Sequence, residues 1–230
     1  LQLDKIEDSG MSEIFEMQKK EANQQFAGFI EDNYLNWLNG IDDGPLFIHN
    51  LIKERIFNRE SNAKTLVLII DNLRYDQWKV LEPVFTKYFV KQKEEIVFSI
   101  LPTATQYARN AFFAGLMPSE IARKHPQYWK NEEDEGSKNI FEKELLELNL
   151  KRLGKSALRY SYNKITNVNA GKKLVEQFHK LKENDVNFLV YNFVDMLSHA
   201  RTDMEVIREL ADDESAYRSL TMSWLEHSPL

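Results

Sequence analysis

Cysteine is absent from all 230 residues of the sequence. A disulfide framework and a thiolate-ligated metal cluster are therefore both excluded, because each of them needs cysteine side chains. The sequence also lacks a signal peptide pattern and any apolar run long enough to cross a bilayer. We accordingly expect no membrane insertion and a cytoplasmic location.

An excess of positive charge is missing as well. The chain has 30 Lys and Arg residues against 36 Asp and Glu residues, which gives a net charge of −6 and a pI near 5.5. General coating of nucleic acid or of an anionic membrane needs clustered basic side chains, so the composition argues against both functions. A local phosphate-binding site stays possible. The 43% apolar content suits one domain with a full core plus an appendage.

The first 60 residues carry a helical pattern. Between Ser12 and Leu38 the apolar residues recur at spacings of three, four and seven, which predicts an amphipathic helix. Pro45 suits the first position of a second helical segment that extends to about Phe57. We therefore predict that residues 1–60 form a helical linker or hairpin. The apolar residues of the first pattern are Phe15, Ala22, Phe26, Phe29, Ile30, Tyr34, Trp37 and Leu38.

Beyond Lys64 the pattern changes to apolar strands that alternate with helical stretches. This alternation predicts an α/β fold in residues 61–230, with a mostly parallel sheet covered by helices and right-handed crossovers. The predicted strands are 66–70, 94–101, 157–162 and 187–194. The predicted helices are 75–90, 106–116, 140–153 and 169–183, the last beginning at Asn169. The acidic stretch 131–139 lacks the alternating ligands of a calcium loop and is interpreted as a surface loop.

Two of the predicted strands lead into a carboxylate, Asp71 and Asp195. In open parallel sheets, ligands bind at the edge formed by the carboxyl ends of the strands. Asp195 and His199 are four residues apart, so they lie close together and suit zinc or manganese better than calcium. Two simpler interpretations stay open: Asp71 caps the following helix, and the Asp195/His199 pair is a surface hydrogen bond.

A third candidate, Thr105, lies at or next to the start of the helix that follows the 94–101 segment. One interpretation is that Thr105 only caps this helix. The other is that the free N–H groups and the positive end of the helix dipole favour an alkoxide and a bound phosphate there. A neighbouring divalent metal would lower the pKa of the hydroxyl further. Together with the carboxylates, Thr105 would form a metal-activated nucleophile for phosphoryl transfer.

These residues resemble motifs of the alkaline phosphatase superfamily. The sequence DNLR at 71–74 resembles the Asp-Gly-Phe-Arg of the nucleotide pyrophosphatase/phosphodiesterase branch, and PTAT at 102–105 resembles its Pro-Thr-Lys-Thr. Gly115, Leu116 and Pro118 match a later Gly-Leu-x-Pro, and DMLSH at 195–199 matches the metal motif Asp-x-x-x-His. All four fragments occur in the order expected for the superfamily.

Nearly the whole chain resembles PorX-type response regulators, in which a PglZ domain follows a receiver domain. The resemblance is carried by KKEANQQFAGFIEDNYLNWL, IDNLRYDQW, ILPTATQYARNAFFAGLMPSEI and SWLEHSPL. It implies a helical linker in 1–60, a PglZ domain in 61–230, an N-terminal receiver domain, a sensor histidine kinase as partner and a role in regulating type IX secretion. Since Leu1 replaces an initiator Met, we expect a piece of a longer protein.

Carried over residue by residue, the resemblance implies two divalent metal ions, expected to be zinc. Asp71 would hold the metal beside the nucleophile Thr105, which would bind that metal itself. Asp195 and His199 would be ligands of the other metal. The C-terminal Asp-His pair and the later His of the superfamily have no counterpart here, so we expect an incomplete site in this stretch and further sequence of about a hundred residues after Leu230 that supplies them.

Two more residues are assigned from their position alone. Arg109 lies one helical turn after Thr105 and is expected to bind a nonbridging phosphate oxygen, while Asn110 or Asn72 is expected to hydrogen-bond it. The threonine and the similarity to the nucleotide branch favour phosphodiesters, such as nucleotides, as substrates. The alternative is a catalytically silent signalling or docking module that acts through protein binding or as a homodimer.

Overall fold

The computed structural model of the chain describes residues 9–58 and 63–228. Within these residues, three parallel strands form one sheet in the order β1-β3-β2: β1 Thr65–Ile70, β2 Tyr160–Ile165 and β3 Val186–Tyr191. The central strand is buried along its whole length, as expected for an apolar run paired on both sides. Its last residue, Tyr191, aligns with the last residue of each neighbour, so all three carboxyl ends meet at one edge. The predicted α/β class with a parallel sheet is confirmed.

Helices account for most of the remaining structure. The α-helices are α1 Ser9–Leu38, α2 Tyr75–Phe85, α3 Thr105–Ala114, α4 Pro118–Lys124, α5 Glu142–Arg152, α6 Val168–Glu176, α7 Phe178–Leu181, α8 Phe193–Asp203, α9 Glu205–Leu210 and α10 Glu214–Glu226. Two 3₁₀ turns lie at Ile48–Asn50 and Pro126–Tyr128, and a π-helix spans Ile52–Phe57. None of the helices in the described part of the chain combines the length and the apolar content that a bilayer span requires.

The main core lies between the sheet and helices α3 and α5. Phe113 of α3 and Phe188 of β3 are fully buried, and their rings meet edge to face with centroids 6.4 Å apart. Ile52 of the π-helix is buried in the same cluster. A separate cluster covers the other face of the sheet, where Leu174 of α6 packs with Leu189 of β3. Both faces of the sheet therefore carry a core cluster, but Leu66 and Leu68 of β1 stay 44% and 39% exposed on the second face.

The C-terminal part of α1 packs against the α/β core. Tyr34 is buried, and its hydroxyl accepts a hydrogen bond of 2.8 Å from the backbone N–H of Leu101. Trp37 packs edge to face on Phe98. The earlier part of the same helix leaves Met17 largely exposed. The long amphipathic helix that the sequence predicts is thus present, and its apolar stripe is covered only toward its C-terminal end.

The predicted strand at 94–101 is wrong. In the described structure this segment forms a single bridge, in which Phe98 exchanges backbone hydrogen bonds of 2.8 Å with Leu46 and Ile48. Its acidic start explains the difference, because Glu94 and Glu95 pair with side chains outside the sheet. The apolar half of the segment packs against the linker region and does not add a strand beside β1.

Several other boundaries differ from prediction. The strand predicted at 157–162 is β2 Tyr160–Ile165, and the helix predicted at 75–90 ends at Phe85. The second helical segment begins at Ile48 as a 3₁₀ turn, not at Pro45. The helix predicted from Asn169 begins earlier, because Asn167 caps α6 by accepting from the N–H of Ala170 at 2.9 Å, and it breaks into α6 and α7 near Gln177. The last strand ends at Tyr191. The 131–139 stretch is exposed up to Ser137, as the surface-loop prediction requires, but Asn139 at its end is buried.

Gly115 has a structural reason to be glycine. It ends α3 in the left-handed conformation, with φ of 59°, which side chains disfavour. An added Cβ would also lie 2.7 Å from side-chain atoms of Asn149 and Arg152. Pro118 then occupies the first position of α4, where its missing N–H carries no cost. The Gly-Leu-x-Pro motif therefore sets the turn between α3 and α4.

Phe113→Ala should lower the free energy of unfolding by about 3 to 5 kcal/mol, because it leaves a cavity at a fully buried aromatic position. Chemical denaturation measured by circular dichroism tests this. Tyr88→Ala is the control, since that ring is 78% exposed, and its effect should stay within about 0.5 kcal/mol. Equal effects of the two substitutions would contradict the location of the core.

Candidate functional site

Asp71 lies at the carboxyl end of β1. Its backbone N–H donates to the carbonyl of Tyr191 at 3.2 Å, which continues the sheet by one residue, and its side chain is buried. Asn72 then adopts the left-handed conformation with φ of 59°, one that Asn tolerates better than most residues. The helix that follows is capped at Arg74 by the side chain of Gln77. Asp71 is therefore not the cap of this helix.

Asp195 and His199 lie one turn apart on α8, which begins directly after β3. Asp195 Oδ1 and His199 Nε2 are 3.7 Å apart, with the carboxylate mostly covered and the imidazole 74% exposed. Burial raises the pKa of Asp195, and the negative charge of Asp71 raises it further. Because β1 and β3 end at the same edge of the sheet, Asp71 and the helix α8 that carries Asp195 both follow that edge.

Thr105 is the first residue of α3, one position after the N-cap Ala104. No side-chain hydrogen bond caps this helix end, so the capping interpretation of Thr105 is not what the structure shows. The Thr105 carbonyl accepts a hydrogen bond of 3.2 Å from the side chain of Asn139. Thr105 is half-buried at the N-terminus of α3, where the N–H groups of Tyr107 and Ala108 both donate to the carbonyl of Ala104. The positive end of a helix dipole favours negative charge at such a position.

Arg109 connects α3 to the sheet edge. It is buried, and one Nη atom lies 2.6 Å from Asp71 Oδ2 and 3.3 Å from Asn192 Oδ1. Its other Nη atom lies 2.6 Å from the carboxylate of Glu142. Burial opposes the charge, but Glu142 and Asp71 outweigh it and raise the pKa of Arg109. The guanidinium therefore stays positive between two buried carboxylates.

Glu142 is a site residue that the sequence reasoning missed. It is the first residue of α5 and 1% exposed, and its carboxylate also accepts from the hydroxyl of Tyr162 and from Lys164 Nζ at 3.3 Å. Burial and this carboxylate raise the pKa of Tyr162. In the sequence, Glu142 is one of two acids in an ordinary helical first turn, so only the folded structure singles it out.

Asn110 is placed differently from the other candidates. It is buried, and its side-chain amide donates to the carbonyl of Lys138 at 3.2 Å and lies 3.5 Å from the amide of Asn139. None of its hydrogen bonds in the described structure goes to Asp71 or Arg109. Asn110 therefore connects α3 to the end of the acidic surface loop.

A divalent metal requires donor atoms at particular distances from one another. Two ligand atoms about 2.1 Å from a tetrahedral ion lie about 3.4 Å apart, so the 3.7 Å between Asp195 and His199 suits one ion. Over residues 9–58 and 63–228, however, no three His, Asp or Glu side chains converge closely enough to hold a metal. The residues present thus fit part of a metal site, with one pair of donors on α8 and the single carboxylate of Asp71 after β1.

Glu142→Gln should lower the free energy of unfolding by about 3 to 5 kcal/mol, because it removes a buried charge from between Arg109 and Lys164. Denaturant titration of folded protein tests this. Glu147→Gln on the exposed face of the same helix is the matched control and should change stability by less than about 0.5 kcal/mol. A similar, small effect of both would mean that Glu142 does not hold Arg109.

Comparison with known families matches both parts of the chain. A model described as the BREX system PglZ alkaline phosphatase-like domain matches residues 47–225, and one described as the PorX response regulator linker domain matches residues 1–38. No curated protein matches the chain. Along the chain the linker match precedes the PglZ match, and together they confirm the resemblance to PorX-type response regulators. Because the first match spans more than half of the sequence, the chain belongs to the PglZ family of alkaline phosphatase-like domains.

Proposed function

We propose that the chain supplies the linker and the catalytic domain of a response regulator that hydrolyses phosphodiesters with divalent metals. The observation that supports this proposal is the position of Asp71 directly after β1 and of the Asp195/His199 pair on the helix that follows β3. These two strands end at one sheet edge, and Arg109 joins α3 to Asp71 there. This edge is where open parallel sheets bind ligands. The match to an alkaline phosphatase-like family supports hydrolysis as the reaction class.

Asp71 and Thr105 would hold one metal, and Asp195 with His199 the other. Zinc is the proposed ion, because a carboxylate with an imidazole suits it. Each ion needs more donors than the described residues bring together, which water, substrate oxygens or further protein groups would supply. When bound, such ions stabilise the charges of the attacking and leaving oxygens.

Thr105 is the proposed nucleophile. Its Oγ gives up a proton to solvent and forms a bond to phosphorus while the bond from phosphorus to the leaving oxygen breaks. Attack of water on the resulting phosphothreonine then restores the hydroxyl and releases the phosphate monoester. The position of Thr105 at the start of α3 favours both steps, because the N-terminal N–H groups stabilise negative charge there.

Arg109 is proposed to stabilise the charge that develops on the phosphate. Its buried Nε has no hydrogen-bond acceptor within the described structure. A buried N–H without a partner costs about 1 to 3 kcal/mol, so a phosphate oxygen would satisfy it at a gain. Glu142 acts here as a positioning residue, because it holds the far side of the guanidinium.

The regulatory part of the proposal rests on the linker match. A receiver domain before the linker, phosphorylated by a sensor histidine kinase in the cytoplasm, would control the PglZ domain and thereby type IX secretion. The domains are proposed to divide near residue 60. The Thr nucleophile and the likeness to the nucleotide branch make nucleotide-type phosphodiesters the proposed substrates.

A second candidate function is a docking module without catalysis. The observation that favours it is the exposed apolar surface on the N-terminal part of α1, where Met11, Ile14 and Met17 are each at least 44% exposed. A second copy of this helix would cover such a surface. The two functions differ in metal content and in turnover, so the following two experiments separate them.

Asp71→Ala and the double substitution Asp195→Ala/His199→Ala should each lower the zinc bound per chain, because the remaining donors no longer saturate an ion. Elemental analysis of folded, full-length protein measures this. Asp203→Ala on the same helix α8 is the control and should keep the parent stoichiometry. An unchanged zinc content per chain in both test variants would mean that these residues have a structural role and are not metal ligands.

Thr105→Ala should abolish hydrolysis of bis(p-nitrophenyl) phosphate by full-length, zinc-loaded protein, with a loss of about a thousandfold or more. The substitution removes the attacking oxygen and leaves the helix and the zinc content in place, since Thr105 makes no capping bond. Spectrophotometric release of p-nitrophenol is the measurement.

Thr103→Ala, two residues earlier in the turn, is the matched control and should keep most of the activity. If Thr105→Ala turned over like the parent and Thr103→Ala lost activity, the nucleophile would be Thr103 and not Thr105. Full activity in both variants would mean that this turn does not supply the nucleophile.

A further inference from the structure

A cavity of about 340 Å³ lies beside the candidate site and has no role in the chemistry described so far. Asn72, the residue after Asp71, contributes to one wall, and Ser198, three residues after Asp195, contributes to another. Residues of α9 and α10 close its far side. The cavity therefore adjoins the two segments that carry the candidate metal ligands.

The lining of the cavity is basic. Arg74, Arg201 and Arg208 line it, and none of its lining residues is a carboxylate. This is unusual for a chain whose acidic residues outnumber its basic ones by 36 to 30. Guanidinium groups are planar forks of N–H donors that match the geometry of phosphate oxygens.

Two of the three arginines are held in place. The buried ring of Tyr217 lies between them, with its centroid 5.3 Å from Arg74 Cζ and 4.8 Å from Arg201 Cζ. Asp76 binds Arg74 at 2.9 Å, and Glu214 accepts from Arg74 and from Arg201. The hydrogen bonds to Arg74 hold the pKa of Asp76 near 2, so its charge persists. A preordered guanidinium loses less conformational entropy when a ligand binds.

Arg208 is the arginine whose charge is not neutralised. Its Nη2 donates to the carbonyl of Thr202 at 2.9 Å, and it has no carboxylate partner within the described residues. An ion-pair cluster that served only stability would balance its charges. The three arginines that line the cavity face two carboxylates, Asp76 and Glu214, so their summed charge is positive.

We propose that this arginine cavity binds a second phosphate group of the substrate, next to the phosphodiester that is cleaved. The inference rests on the proposed function and narrows its substrate class to phosphodiesters that carry at least one further phosphate. Such a group would lie between Arg208 and Arg201, which leaves the cleaved group at the sheet edge beside Asp71.

Binding is tested without catalysis. Adenosine 3′,5′-bisphosphate and adenosine are titrated calorimetrically into full-length protein in EDTA, so that metals contribute nothing. The bisphosphate should bind and adenosine should not. Arg208→Gln should weaken the bisphosphate at least tenfold, and Thr202→Glu should abolish binding by placing a carboxylate among the arginines. Arg123→Gln, an exposed arginine on α4, is the matched control and should bind as the parent does.

Parent-like binding in both Arg208→Gln and Thr202→Glu, or no binding by the parent, would overturn the inference. Circular dichroism confirms that each variant is folded. With zinc-loaded protein, a p-nitrophenyl ester of thymidine 5′-phosphate should be cleaved with a lower KM when it carries a 3′-phosphate, and Arg208→Gln should remove that preference. Equal KM values for both esters with the parent would also overturn it.

These results separate the inference from the function on which it rests. Arginine-dependent binding without any hydrolysis would refute the phosphodiesterase and keep the anion site. Hydrolysis that depends on Thr105, together with binding indifferent to Arg208, would refute the anion site alone.

Discussion

The buried guanidinium of Arg109 is the interaction on which the arrangement of the site depends. Asp71 comes from the end of β1, Glu142 from the start of α5, and Arg109 from the middle of α3. A charge buried in a protein interior must be paired, because removing one partner leaves the other without water or a counterion. The triad therefore fixes how α3 approaches the sheet, and with it the distance from Thr105 to the carboxylates.

In the proposed function, the same triad links stability to catalysis. While Asp71 is bound to Arg109, it is not free to act fully as a metal ligand, so metal binding and the Asp71–Arg109 pair draw on the same carboxylate. Lys164 and Tyr162 both donate hydrogen bonds to the carboxylate of Glu142. Glu142 in turn binds the Nη atom of Arg109 that does not contact Asp71. In the proposed function, this sharing couples occupancy of the metal site to the position of Arg109. The neighbouring arginine cavity extends the same basic environment outward from the sheet edge.

Local sequence predicted some elements well and others poorly. The strand before Asp71 and the strand before Asp195 are continuous apolar runs, so their prediction needed no tertiary information. The 94–101 segment is apolar only in its second half, and its partner is the 46–48 stretch and not the sheet. Pairing between distant segments depends on which surface is available after the core forms. The hydrophobic periodicity of one segment does not specify its partner.

The sequence alone determined the α/β class, the acid directly after β1, the Asp195/His199 spacing and the placement of Thr105 at the start of a helix, while the structure moves Asp195 from a strand end into the first turn of α8. Each of these follows from short-range rules of periodicity and helix ends. Only the tertiary structure decided that Arg109 lies between Asp71 and Glu142, and that three arginines surround one cavity. Those contacts join residues about 30 to 140 positions apart in the sequence. A buried charge pairs with whichever opposite charge lies near it in the folded chain, and no local sequence pattern specifies that partner.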